Sequence, residues 1–286
     1  MTADALRDFV DRHAPLFVLT GAGCSTESGI PDYRDADGAW KRQQPIMLQP
    51  FVENPLARKR YWARGLVGWR HFGAATPNAA HHALARLERR GAIELLVTQN
   101  VDGLHRVAGS RALIELHGRA DRIRCLSCGL QIARADFHRE LARRNPSWAA
   151  LDARNAPDGD ADLEGLDFAS FDVPACGSCG GILKTDVVFF GESVPRERVA
   201  ASMAALERAN GMLIVGSSLM VYSGYRFALA AARLGKPIAA VNLGRTRADP
   251  LLTLKVAENC AAALERVERS AARAAAREAV VVPATD

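Results

Sequence analysis

The sequence contains no apolar run approaching the roughly 18 residues that cross a bilayer, and no internal repeat of the kind that builds a solenoid. Its first residues, Met1-Thr-Ala-Asp-Ala-Leu-Arg-Asp8, lack the basic-then-apolar pattern of a signal peptide. Aromatic residues are scarce at 6%. These absences lead to the expectation of a cytoplasmic protein without membrane partners. Charge of one sign is not concentrated either: 37 basic residues against 32 acidic give a net charge of +5, but arginine is spread along the chain, so nucleic acid is not expected as a partner. Six cysteines in a reducing compartment favour metal ligation or buried thiols over disulfides. What remains, 286 residues that are 49% apolar and 24% charged, is enough for one large core or a core with a satellite module.

Apolar periodicity organises the chain. Leu6, Phe9 and Val10 recur at helical spacing, Pro15 ends that helix, and Leu16-Phe-Val-Leu19 follows as a strand. Further strand signals lie at Ile93–Val97, Leu113–Leu116, Val187–Phe190, Met212–Val215 and Ile238–Val241. Several are continuous apolar runs, as parallel strands covered on both faces require. Helical stretches at Ala79–Arg90, Arg196–Ala209 and Gly224–Leu234 stand between them, each closed by a glycine. This alternation predicts an α/β fold, a Rossmann-like doubly wound parallel sheet, with a smaller inserted zinc-binding domain and a helical insertion. The expected division is residues 1–40, 77–120 and 185–270 for the nucleotide-binding domain, 41–76 for a helical part over the cleft, 121–184 for the metal module, and 271–286 for a flexible tail.

Four cysteines form two Cys-X2-Cys pairs, Cys125/Cys128 and Cys176/Cys179, each followed by glycine. Such knuckles present paired thiolates to tetrahedral zinc, and four thiolates leave no position open to substrate, so one structural Zn2+ is expected. The 47 residues between the pairs exceed the roughly 15–20 of a short ribbon and must loop out and return. A redox pair is the alternative reading.

Several strands end in loops suited to a nucleotide. Thr20-Gly-Ala-Gly-Cys-Ser25 offers small residues and a following helix N-terminus to a pyrophosphate, although Thr26 stands where the dinucleotide fingerprint has its third glycine. A ligand-free tight turn carries the same Gly-X-Gly. Tyr33 and Arg34 follow with a ring and a cation, Gly216-Ser-Ser218 is a second phosphate-type turn, and Asn242-Leu-Gly244 can hold a ribose hydroxyl. Thr98-Gln-Asn-Val-Asp102 brings amides and a carboxylate to the same sheet edge, and His117 follows a strand where an imidazole can act as general base. A satisfied structural histidine is the other reading of His117, and His105 is the weaker candidate.

Together these blocks resemble the sirtuin (Sir2) family: Gly21–Arg34, Thr98–Asp102, Leu116–Gly118, the four cysteines, Asp186–Glu192, Gly216–Ser218 and Asn242–Gly244 occur in family order over about residues 14–265. The resemblance implies NAD consumed as co-substrate. The acyl oxygen of a modified lysine attacks the ribose carbon as nicotinamide leaves, histidine then acts on a ribose hydroxyl, and the products are lysine, nicotinamide and O-acyl-ADP-ribose. It further implies His117 as base, with Asn100 and Asp102 on the nicotinamide ribose and carboxamide and Gln99 on a ribose hydroxyl. The NAD-binding set it implies is Gly21, Ala22, Gly23, Glu27, Asp32, Tyr33, Arg34, Gln99, Asn100, Asp102, Gly216, Ser217, Ser218, Asn242, Leu243, Gly244 and Cys260, with Cys24 a packing residue. An acyl-lysine protein or peptide is the implied partner, held as an added strand by Val188, Phe190, Gly191, Glu192, Val221 and Tyr222, and the protein is expected to be a monomer.

Tyr33, the Arg58–Trp69 block, the long cysteine gap and Val221–Arg226 resemble class II sirtuins, close to mitochondrial sirtuin four. Tyr61 and Arg64 share a helix face at the spacing of the pair that sirtuin five uses for acidic acyl groups, and Thr185 stands where the family usually has Pro before Asp186. The expected function is NAD-dependent protein-lysine deacylation, with longer or acidic acyl groups as candidate substrates. Protein mono-ADP-ribosyl transfer is the alternative, and a non-catalytic zinc-ribbon binding module the third reading.

Overall fold

The computed structural model describes residues 2–41, 45–153, 157–163 and 165–269; the tail expected at 271–286 lies outside them. Helix α1 (Thr2–His13) buries Leu6, Phe9 and Val10 and hands over to β1 (Leu16–Thr20). The α-helix expected directly after β1 is not there. Residues 22–28 form two short 3-10 turns instead, because Gly29 turns the chain at φ +80 and Pro31 removes an amide and restricts Ile30. Helices α2 (Leu48–Glu53) and α3 (Pro55–Phe72) follow; the Asn54 side-chain Oδ1 caps α3 by accepting from the Leu56 and Ala57 amides, with Pro55 where no donor is needed.

The chain continues through α4 (Ala79–Arg89), β2 (Ile93–Thr98), α5 (Leu104–Val107) and β3 (Leu113–Glu115). Next come β4 (Gly118–Cys125), β5 (Gln131–Ala133), α6 (Arg134–Arg144), α7 (Pro146–Ala149) and β6 (Leu183–Val187). It closes with α8 (Arg196–Arg208), β7 (Gly211–Val215), α9 (Tyr222–Arg233), β8 (Ile238–Val241), β9 (Leu254–Val256) and helical residues 260–269.

Six parallel strands pair in the order β3-β2-β1-β7-β8-β9. Counting only these strands, the order is that of a dinucleotide-binding sheet, with its reversal between β1 and β7. Alternation along β1 sends Leu16 and Val18 to one face, with α1, α4 and residues 260–267, and Phe17 and Leu19 to the other, with α8 and α9. Both faces are covered, so the central strands β1, β7 and β8 are buried along their whole length.

A second, antiparallel sheet, β5-β4-β6, shares one core with α2, α3, α6 and α7, centred on Phe51, Trp62, Leu66, Phe137, Leu141 and Phe171. One strand differs from the sequence reading. The signal at Val187–Phe190 marks only the end of β6, which pairs with β4 and not with the large sheet; beyond Val187 a single bridge joins Phe190 to Met47. The expected boundaries at 120/121 and 184/185 therefore fall inside β4 and β6.

Candidate active site

At the sheet's reversal point the loops after β1 and β7 pack backbone to backbone. Gly21 N donates to Val215 O at 3.0 Å and Gly23 N to Gly216 O at 2.9 Å. A Cβ on Gly21 would lie 2.8 Å from Ser217 Cβ, and one on Gly216, at φ +61, 2.2 Å from Cys24 N. The small residues are thus needed first for loop to meet loop, and through that contact they shape a cavity of about 800 Å³. The same turn carries Leu219 at φ 55, a left-handed non-glycine residue of the kind that gathers at ligand sites. The third wall is the 242–245 loop, against which residues 32–41 dock: Arg245 N donates to Ala36 O at 2.8 Å.

His117 stands where the chain leaves the large sheet and enters the small one. That passage needs Gly118, at φ +84, since a Cβ there would sit 2.2 Å from Asp186 O. The imidazole Nδ1 lies 2.9 Å from Gln99 O and Nε2 lies 2.8 Å from Ser223 Oγ. A backbone carbonyl only accepts, so Nδ1 carries the proton and Nε2 is a lone pair receiving the Ser223 hydroxyl. Burial pushes His117 down to about 4, opposed by the bond to Gln99 and reinforced by Arg198 and Arg226. The ring is neutral and ready to accept a proton at physiological pH. Ser223 stands 106 residues from His117, and no local sequence pattern links the two.

Asn100 is fixed by its neighbours. Its Nδ2 donates to Gly21 O and Ser25 Oγ, each at 3.0 Å, so Oδ1 is the atom it offers a ligand. Gln99 Oε1 accepts from Ser217 Oγ at 2.6 Å, tying the β2 loop to the β7 loop. Arg34 lies with its guanidinium 3.9 Å from the Trp40 ring centre and donates to Gly38 O at 2.7 Å.

Of the NAD-binding set expected from the sequence, Gly21, Ala22, Gly23, Asp32, Tyr33, Arg34, Gln99, Asn100, Gly216, Ser217, Ser218, Asn242, Leu243, Gly244 and Cys260 line this one cavity, with His117. Two do not. Glu27 is exposed on the second 3-10 turn. Asp102 sits behind the wall, where it accepts from Ser25 Oγ at 2.7 Å and Leu104 N at 2.9 Å; burial raises its carboxyl above the usual range. It braces Ser25, which braces Asn100. Of the expected peptide contacts, Val188, Phe190, Gly191, Glu192, Val221 and Tyr222 also reach the cavity wall. Val188 N donates to His117 O at 2.7 Å. Glu192 turns back to Lys184 Nζ at 3.0 Å and Phe189 N at 2.9 Å.

A neighbouring chamber of about 570 Å³ shares Tyr33, Trp40, Val188 and Phe190 with the first cavity and runs back to Tyr61, Arg64, Arg134 and Thr185. The Tyr61 hydroxyl lies 2.6 Å from Thr185 Oγ1, so the residue in the usual proline position lies inside β6 and anchors Tyr61. Arg64 is clamped by Asp160 through two bonds of 2.8 Å. Arg134 is 4% exposed, lies 4.8 Å and 5.1 Å from the Trp69 and Trp62 ring centres, and gives Nη2 to Gly65 O at 2.8 Å. Its Nε has no partner among the described residues.

The four paired cysteines meet at the far end of the small sheet. Cys125 Sγ is 3.5 Å from Cys179 Sγ, Cys128 Sγ is 3.8 Å from Cys176 Sγ, and all four sulfurs fall within 4.8 Å of one another. Zn–S bonds of about 2.3 Å in a tetrahedron separate sulfurs by about 3.8 Å, so the donor set fits Zn2+. Each knuckle turns through a left-handed glycine, Gly129 or Gly180, whose amide returns to Cys125 O or Cys176 O.

The Sir2 family model matches residues 21–223. NAD-dependent protein deacetylase 2 of Bradyrhizobium diazoefficiens is 65% identical over 260 residues, 91% of this chain and 95% of that protein. The NAD-dependent protein deacetylase of Bordetella bronchiseptica is 63% identical over 263 residues, 92% and 96% respectively. Among solved structures, a Sir2–p53 peptide–NAD+ complex superposes with a TM-score of 0.75 at 31% identity, covering 96% of this chain and 100% of that one. The sheet order, glycine loops, half-buried His117 and four-cysteine cluster of this chain agree with a match of that extent: the chain belongs to the Sir2 family.

Proposed function

We propose that this protein is an NAD-dependent protein-lysine deacylase: NAD is consumed, the acyl group of a modified lysine passes to ADP-ribose, and nicotinamide and free lysine are released. The observation that carries this reading is His117 Nε2, a lone pair held toward the cleft by the fixed Nδ1–H bond to Gln99 O, at the edge of a cavity walled by both glycine loops. Bound NAD would supply the ribose carbon that receives the acyl oxygen. The chain's own residues do the rest. Asn100 Oδ1 orients a hydroxyl or amide donor, Gln99 and Ser217 keep two loops in register, and Nε2 takes a ribose hydroxyl proton after displacing Ser223.

The acyl-lysine enters between residues 188–192 and 221–224, pairing as an added strand, so the peptide sequence is read weakly. The shared aromatic wall of Tyr33, Trp40 and Phe190 leads from the base into the second chamber, which has room for chains longer than acetyl. Arg64 is occupied by Asp160, so the donor capacity available to an acidic acyl group resides at Arg134. The class II assignment is proposed on the sequence blocks, and a reducing, cytoplasmic setting on the four-thiolate site.

The test is nicotinamide release from NAD with an acetyl-lysine peptide, followed by mass spectrometry of the peptide. Wild type is expected to release nicotinamide and free lysine together, and His117→Ala to fold normally and lose about 10²–10⁴ in rate. No nicotinamide release with any acyl-lysine peptide overturns the reading, and adenine label retained on the acceptor protein replaces it with ADP-ribosyl transfer.

A further inference from the structure

Beneath the first glycine loop, three side chains with no assigned part in the reaction meet in the core. Cys24, His81 and His105 are at most 1% exposed. Their ligating atoms lie within 4.8 Å of one another, and the two imidazole centroids are 4.6 Å apart. They come from separate elements: the 3-10 turn after β1, the first turn of α4, and α5. No sequence spacing announces them.

The outer nitrogens of the two rings are already held. His81 Nδ1 lies 3.0 Å from Asn78 Oδ1 and 3.3 Å from the Asn78 backbone N; the ligating tautomer keeps the proton on Nδ1, donates it to Oδ1 and leaves Nε2 as the lone pair. His105 Nε2 lies 2.9 Å from Thr20 Oγ1, itself 2.8 Å from Thr98 Oγ1. This is how metal-binding imidazoles are oriented, one nitrogen fixed and the other presented. The inner atoms are poorly served: His105 Nδ1 is buried with no partner among the described residues, and His81 Nε2 has a 3.4 Å contact to Ser25 Oγ. An unmatched buried polar atom costs about 1–3 kcal/mol, and one cation would satisfy both nitrogens and the sulfur.

We infer that Cys24, His81 and His105 form a second transition-metal site, for zinc or an ion of its class, independent of the four-cysteine cluster. Binding forms one metal–sulfur and two metal–nitrogen bonds, breaks the Cys24 S–H bond and releases that proton to solvent, with no change in oxidation state. One thiolate and two neutral imidazoles suit a borderline-soft divalent ion and leave a fourth position open. Tetrahedral binding would draw the donors to about 3.3–3.8 Å apart, a small contraction for side chains on three adjoining segments. Burial, then Cys260 and Asp102, push the Cys24 thiol up and keep it protonated without an ion, and Asp102, bonded to Ser25 Oγ, would offset the remaining positive charge once the ion binds. Occupancy couples to the cleft. An ion on His81 Nε2 removes that ring from Ser25, which also holds Asp102 and Asn100, and Cys24 itself belongs to the loop packed against Gly216.

The experiment titrates full-length protein, carrying its one four-cysteine zinc, with Zn2+ and with Co2+, reading bound metal per chain and the thiolate-to-cobalt absorption band. A second equivalent is expected in wild type. It should be absent from Cys24→Ala and Cys24→Ser, which keep the first zinc and basal nicotinamide release. The stoichiometry does not depend on the deacylase reading. The coupling does: wild type alone should show a several-fold rise in KM for NAD as the second ion binds. Saturation at one equivalent, or a second equivalent that survives in either folded Cys24 variant, overturns the site; a second equivalent that leaves KM unmoved overturns the coupling.

Discussion

The contact between the two glycine loops can be tested by pairing two substitutions that share one backbone penalty and differ in surroundings. Gly216 and Gly235 both have left-handed φ, +61 and +66, and alanine in that region costs about 1–2 kcal/mol wherever it occurs. At Gly235 a new Cβ meets nothing within 4 Å, so the backbone term is the whole effect. At Gly216 it would sit 2.2 Å from Cys24 N and 2.5 Å from Gly23 C. Both neighbours are backbone, and relief requires the loops to separate by about 1 Å. That movement strains the bonds from Gly23 N to Gly216 O and from Gly21 N to Val215 O, each about 1–3 kcal/mol if left unmatched. Gly216→Ala is therefore expected to lose about 3–5 kcal/mol, a fall of roughly 5–8 °C in Tm for a chain of this length, and to bind NAD poorly. Gly235→Ala should lose only a few degrees and keep its KM for NAD. Circular-dichroism melts and nicotinamide-release kinetics on the two variants decide the matter. Equal Tm shifts with equal KM would refute the argument that loop-to-loop packing builds the cleft.

Burial holds His81 and His117 at about 4 and pushes His105 well down, whereas an unfolded histidine takes its proton near about 6.5. Stability present above that pH is lost as pH falls from about 6.5 toward about 4, by about 3 kcal/mol for each of the first two histidines; urea midpoints that stay flat across this window would contradict the burial. Cys176→Ser should lower bound zinc by one per chain and expose the β4–β5–β6 sheet to protease, since a structural zinc site contributes folding energy directly; unchanged protease resistance would show the cluster to be dispensable. Arg64→Ala should leave the ratio of succinyl- to butyryl-lysine turnover unchanged, because Asp160 already occupies Arg64, whereas Arg134→Met should lower it. The reverse pattern in acyl-peptide profiling would return the acid-binding role to Arg64.

The parallel sheet was legible because its strands are continuous apolar runs, Leu16–Leu19 and Met212–Val215 foremost, and the glycines closing the helices mark where each crossover ends. The small sheet was not legible. Strand β4 runs Gly-Arg-Ala-Asp-Arg-Ile-Arg-Cys and β6 runs Leu-Lys-Thr-Asp-Val, polar sequences whose pairing follows from the cysteine knuckles and from packing on α3 and α6. The helix expected after the first glycine loop failed for a local reason, Gly29 and Pro31. A carboxylate at a strand end suggests a ligand contact for Asp102, whereas its hydrogen bond to Ser25, 77 residues away, is a long-range pairing that no local pattern announces.

Long-range pairing also explains how one imidazole can serve both halves of the site. Gly118 lets β3 of the large sheet pass directly into β4 of the small one, so His117 has the nucleotide loops on one side and the 188–192 segment on the other. Its ring is fixed from the large sheet by Gln99 O, and its own carbonyl fixes the small sheet's outgoing strand through Val188 N. A displacement of the small sheet therefore moves the 188–192 segment against a base that stays with the glycine loops, since Gln99 holds both the imidazole and Ser217. Closure of one sheet toward the other would alter the placement of the acyl-lysine relative to the base before it alters the placement of NAD. Substitutions in the small-sheet core, such as Phe51→Ala, should then raise KM for the peptide more than KM for NAD; steady-state kinetics with each substrate varied in turn measure the difference, and a larger effect on NAD would mean that the base moves with the small sheet.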